Sequence, residues 1–223
     1  MTSKDSAWSQ AWLDSITWLF EYEINKFKKY SVTVEDLLAQ KLKGFTDQVD
    51  KQAAKLSKEE RDEFYEYMSD EHSHLSETFP NTLRESLFLA TYSYMENTVR
   101  RFCSFVQEHY GYKISVKDLS GHGIQVCFKY LEKVAEAPFD PGSTTWDQVK
   151  FLNDLRNIIV HSNGEVNPHD KSLNALRAKI NRWPSVQLGP TGRIELNGGF
   201  NDHALAIFEK FFFEIKDAIT KYW

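Results

Sequence analysis

The chain has 223 residues, of which 41% are apolar and 26% charged, and it carries a formal net charge of −5. That length suffices for a sizeable core, and the composition is that of an ordinary globular protein rather than a disordered or fibrous one. The acidic balance argues against indiscriminate binding of nucleic acid.

Acidity is not spread evenly. Residues 1–80 hold 16 acids against 10 bases, residues 81–150 hold 8 of each, and residues 151–223 hold 8 acids against 9 bases. The last two thirds are therefore free to form a local basic cleft. No apolar run approaches the roughly 20 residues that span a bilayer, and Asp5, Asp14, Glu21 and Glu23 interrupt the first thirty positions, so no secretory signal is expected. The expected compartment is the cytosol, with no membrane partner. Cys103 and Cys127 lie in apolar helical patterns and read as buried free thiols, with neither a disulfide nor a metal site expected.

Glycine and proline are scarce, which favours long helices. Trp8, Trp12, Ile16, Phe20, Ile24 and Phe27 recur at helical spacing over residues 6–30. A second helix is expected over 33–56 on Leu37, Leu38, Leu42 and Phe45. Ser57-Lys58-Glu59-Glu60 has the pattern of a capping box, and the helix it opens is expected to stop at Phe79, before Pro80. The longest pattern covers 82–110 and ends at Gly111. A short helix follows Gly121-His122-Gly123 and runs to Ala135. Thr144 or Thr145 caps a helix that ends at Ser162-Asn163-Gly164. Beyond Asn167-Pro168, a helix is expected over 172–183 and a β-hairpin over 185–196 around Gly189-Pro190-Thr191-Gly192. Asn201 or Asp202 caps a last helix to Tyr222. The expected fold is mainly all-α, an acidic helical extension (1–80) before a helical core domain (81–223).

The helix ending at His161 carries the chemistry. At about 100° per residue, with Asn153 at zero, Asn157 lies near 40°, Lys150 near 60°, His161 near 80° and Arg156 near −60°. Phe151, Leu155, Ile158 and Ile159 fall largely on the other side. Asn157 and His161 share a face, whereas Arg156 is about 140° from His161. Arg156 must curl around the helix, or the pair must meet across a cleft between two copies. Histidine titrates near neutrality and moves protons. Arginine stays charged and grips phosphate oxygens. The pairing suits cleavage of a phosphodiester without a metal.

Arg156-Asn157-Ile158-Ile159-Val160-His161 resembles the Arg-x(4–6)-His motif of the HEPN superfamily, in the form with Asn after Arg. The resemblance covers roughly residues 82–222 and implies an up-down helical bundle. It implies metal-independent endoribonuclease activity on RNA such as tRNA or mRNA, in a toxin or antiviral defence effector acting as a homodimer, with an antitoxin or other regulatory protein as partner. By this resemblance the 2′-hydroxyl attacks its own phosphate. His161 serves as general base or acid, Arg156 stabilises the phosphoryl oxygens, and Asn157 orients His161 or holds an oxygen. It further implies a polar or acidic residue on the earlier long helix, for which Glu96 is the candidate, with Arg100, Arg101, Lys150 and Asn153 as substrate-binding groups. The bland reading of Glu96 is a surface ion pair with Arg100.

Other readings stay open. A non-catalytic module of the same fold would use Arg156 and His161 to bind RNA, a nucleotide or a protein. A helical adaptor would make its main contact through the acidic first 80 residues. His72 and His74, two apart on a charge-dense helix, read as solvated. His122 between two glycines has the look of a phosphate-binding turn, but a plain turn is the expected reading. Trp8, Trp12 and Trp18 could form a partner-binding face, but core packing is the expected reading. Lys171, Arg177, Lys179, Arg182 and Arg193 place positive charge beyond the motif.

Overall fold

A computed structural model describes residues 3–167 and 173–220, with side chains from Ser9 onward. Trp8's side chain, Pro168, Lys171, the Ser172 start of one expected helix and the Tyr222 end of another lie outside the described residues. The fold is mainly α: α1 (Ser3–Ala53), α2 (Lys58–Ser73), α3 (Phe79–Tyr110), α4 (Gly123–Lys133), α5 (Thr144–Ser162), α6 (Leu173–Ile180) and α7 (Phe200–Thr220), with β1 (Val186–Leu188) and β2 (Ile194–Leu196) before α7. The strands pair antiparallel, Val186 opposite Leu196 and Leu188 opposite Ile194. No helix among the described residues is long and apolar enough to cross a membrane.

The first two expected helices are one. Nothing around Ser31 to Thr33 breaks the backbone ladder, and the Thr33 hydroxyl donates back to the Lys29 carbonyl at 2.8 Å. Ser57 does cap α2: its side chain accepts from the Glu60 amide while the Glu60 carboxylate accepts from the Ser57 amide at 2.9 Å. Pro80 does not stop the chain. A π-helical turn over His74–Thr78 leads straight into α3, and the Phe79 amide donates to the His74 carbonyl five residues back. Widening by one residue relieves the crowding a proline ring causes in an ordinary turn, so Pro80 is carried inside a helical run that continues from α2 into α3.

α3 is the central helix. It packs against α1, α4, α5 and α7, and Phe88, Tyr92, Met95, Val99 and Phe102 are all but inaccessible. α7 supplies Phe208, Phe211 and Phe212 to the same core. The first half of α1 joins this core too. Phe20 stacks on Phe212 at 3.8 Å between ring centroids, and Trp12 stacks on Phe105 at 3.8 Å. Trp18 is the exception to the packing expectation, being 65% exposed and stacked on Tyr22. The second half of α1 and α2 pair with each other, and α2 buries no residue. Both cysteines are buried and free.

Candidate functional site

α5 begins one residue earlier than the threonine cap expected for it. Ser143 is the cap, its hydroxyl accepting from the Trp146 amide at 3.1 Å. The helix ends as expected, with Asn163 and then Gly164 at φ of 51° and 79°. The reversal is pinned from outside: the Ile194 amide donates to the Gly164 carbonyl and the Val166 amide to the Gly192 carbonyl, at 2.8 and 3.0 Å. The hairpin thus clamps the end of α5 that carries His161. The last helix likewise starts before its expected caps. Asn201 lies inside α7, and its side-chain amide donates to the Arg84 carbonyl.

α3 and α5 run antiparallel. Glu85, early in α3, lies beside Gly164, just past the end of α5. Seven residues later Tyr92 donates its hydroxyl to Asn153 Oδ1 at 2.7 Å. Asn153 is buried and already engaged in this bond, so it is a support beneath the site more than a free substrate group. Burial, first, and the nearby Glu96 carboxylate hold the Tyr92 hydroxyl well above the ordinary tyrosine range, while the Arg156 charge opposes them. Tyr92 therefore remains a neutral donor. Glu96 stands one turn along α3. Its Oε2 and Asn153 Oδ1 both lie within 4 Å of where a Cβ on Gly123 would project, and its Oε1 accepts from Arg100 at 3.2 Å. At Gly123, whose φ is +64°, a side chain would crowd this carboxylate.

Glu96 therefore meets α5 at the level of Asn153. His161 lies eight residues further on, roughly 12 Å along the axis at 1.5 Å per residue. Within one chain the structure brings together Tyr92, Glu96, Arg100, Asn153 and Gly123, and leaves His161 outside that group. The His161 side chain is exposed and makes no hydrogen bond among the described residues. Arg156 occupies the intermediate level. Its guanidinium donates to Asn157 Oδ1 at 3.0 Å, which draws it towards the side of the helix that His161 shares. Asn157 orients Arg156 in this arrangement, not His161. Lys150 pairs with Asp147 one turn back on the exposed surface. Arg101 lies, with Arg100, along a groove between α1 and α3 lined by Trp12, Ile16 and Tyr94. Among the bases beyond the motif, Lys179 pairs with Asp154 at 2.7 Å and Arg193 with Glu85 at 3.3 Å.

The sequence pattern singled out neither Tyr92 nor the approach of Gly123 to Glu96. The i,i+4 spacing of Tyr92 and Glu96 on one helix was the available sign for the first of them. The loop before α4 approaches α3 through tertiary packing, which no local signal reports. Comparison of the chain with family models, with curated proteins and with solved structures finds no match.

Proposed function

We propose that the chain is a metal-independent endoribonuclease in which Arg156 and His161 act on one phosphodiester. The observation that carries the reading is the course of the Arg156 side chain, held by Asn157 on the side of α5 that leads to the accessible His161. A permanent cation and a titratable imidazole then border one track on the surface of α5. In the proposed reaction the RNA 2′-hydroxyl gives its proton to a base, and its oxygen attacks the adjacent phosphorus. The bond to the 5′-oxygen breaks as that oxygen takes a proton, leaving a 2′,3′-cyclic phosphate. His161 performs one of the two proton transfers, and Arg156 carries the charge that develops on the phosphoryl oxygens. The mainly helical fold with α3 and α5 antiparallel at its centre agrees with the resemblance of the motif to the HEPN superfamily.

A homodimer belongs to the same proposal. With His161 exposed and Val160 46% exposed beside it, the end of α5 is available to a second copy, whose own residues would complete the site. The test is cleavage of cellular RNA by the purified chain in chelator. Wild type is expected to cut and leave cyclic phosphate ends. Arg156→Ala and His161→Ala are each expected to lower the rate by about 10²–10⁴-fold with the helical circular dichroism unchanged. If both variants cut like wild type, the assignment fails. Tight RNA binding with no cleavage by wild type would instead favour the non-catalytic module.

A further inference from the structure

On the far side of Glu96 from His161, a surface cavity of about 570 Å³ opens between α3 and the segment leading into α4. Its polar wall is Arg100, Lys117, Ser120 and His122, its floor includes Gly121 and Gly123, and the rest is aliphatic. No carboxylate lines it. Asp118, the nearest acid in sequence, is turned to its own loop, where it accepts from the Ser115 amide and hydroxyl at 2.7 and 2.8 Å. Lys129 reaches the rim through Ser120 at 3.4 Å. Glu96 touches only one nitrogen of the Arg100 guanidinium, so the other donors of that group remain available to a ligand. The chain as a whole is acidic, and a cavity whose charged lining is Arg100 and Lys117, with the Glu96 carboxylate behind Gly123 and already paired to Arg100, is therefore a local feature that suits an anion.

We infer that this cavity holds a phosphate of a single-stranded RNA whose neighbouring nucleotides pass along α5 to Arg156 and His161. The identification of the ligand as RNA rests on the proposed ribonuclease reading. The position of the cavity supports a strand over a free nucleotide. Gly123 belongs to its wall and also borders Asn153, and Arg156 lies one turn beyond Asn153 on α5. The aliphatic part of the wall, Val116, Leu119 and Val126, offers ribose and base an apolar surface. The cavity thus lies beside the middle of α5 at the level of Asn153, about two turns before His161. Arg100 is a shared element, steadied by Glu96 on one side and presented to the phosphate on the other.

The experiment measures binding of a short 2′-O-methyl oligoribonucleotide, which lacks the attacking hydroxyl, to the full chain by fluorescence anisotropy at several salt concentrations. Arg100→Ala should weaken binding about tenfold, the loss of one charge-assisted contact, and Lys117→Glu, which reverses the charge, by at least as much. Each should also lower the slope of log K against log salt by about 0.7. Lys117→Gln, which keeps the loop's shape, should show the same direction. Lys41→Glu, on the distant part of α1, should bind as wild type. Wild-type affinity in both Lys117 variants and in Arg100→Ala would overturn the inference, as would a mononucleotide that binds as tightly as the strand. A parallel cleavage assay separates the two claims. Loss of binding in the cavity variants of a chain that cuts no RNA leaves the cavity standing without the nuclease. Undiminished binding and cutting by Lys117→Glu and Arg100→Ala leaves the nuclease without the cavity.

Discussion

Tyr92 and Asn153 show how a polar pair supports the site from below. Tyr92 is 1% exposed, and its hydroxyl fills one lone pair of the buried Asn153 amide oxygen. Tyr92→Phe removes the donor and strands that oxygen, which should cost about 1–3 kcal/mol. The same hydroxyl gives the folded state a pH dependence. Below the ordinary tyrosine value of 10.0, folded and unfolded chains both keep the proton and its contribution is fully present. Above it the unfolded chain releases the proton while the folded one retains it, so stability falls as pH rises. Tyr130, pushed up to about 12 chiefly by burial, acts in the same direction. Denaturant titrations repeated from neutral to alkaline pH should therefore show stability declining from pH 10 towards 12 in wild type. The decline should be shallower in Tyr92→Phe. An identical alkaline slope in the two proteins would remove Tyr92 from this account.

Among the elements, the small hairpin has more influence on α5 than its six strand residues suggest. It holds the helix end through the Gly164 and Val166 backbone bonds and through Arg193, which lies on Glu85 of α3 and beside Gly164. Glu85 is buried, with Asn81 as its other donor at 2.9 Å. Arg193→Ala should leave that carboxylate short of its cation and destabilise the fold by about 2 kcal/mol, the upper range being tempered by Arg193's partial exposure. Amide exchange should quicken at Glu165 and Val166 before it does in the middle of α3. Uniform quickening across the chain would show that the hairpin has no private role at the end of α5.

This hairpin was legible in the sequence because its Gly-Pro-Thr-Gly turn is local chemistry. So were the left-handed stop of α5 and the Ser57 capping box. The continuity of α1 and the passage through Pro80 were not, for different reasons. A join between two helical patterns leaves no mark unless a breaker stands there. A proline reads as a stop unless the preceding turn is known to widen. The motif helix was legible as a face, but the neighbours of that face were not. That Glu96 meets Asn153 and Gly123, and that Arg101 lies along the groove beside α1, follows from how α1 and α4 dock on α3. Periodicity along α3 alone carries no information about those partners.

For the molecule as a whole, the charge break near residue 80 and the boundary of packing do not coincide. The composition shift is real, yet Leu13, Ile16, Phe20 and Ile24 lie in one apolar cluster with α3 and α7. The stretch that stands apart from that cluster is the pairing of the second half of α1 with α2, where Tyr67 is 80% exposed and α2 buries nothing. The two halves of the acidic segment should therefore respond oppositely to substitution. Phe20→Ala removes a fully buried ring stacked on Phe212 and should cost about 3–5 kcal/mol. Tyr67→Ala removes a ring from solvent and should change stability by less than about 0.5 kcal/mol. Equilibrium unfolding of the two variants checks both. Equal and small effects would mean that residues 1–30 are an appendage after all, and that residues 81–223 can be studied alone. A large loss for Phe20→Ala alone would mean that any active fragment must retain the first half of α1, because without it the apolar side of α3 opposite the motif helix faces water.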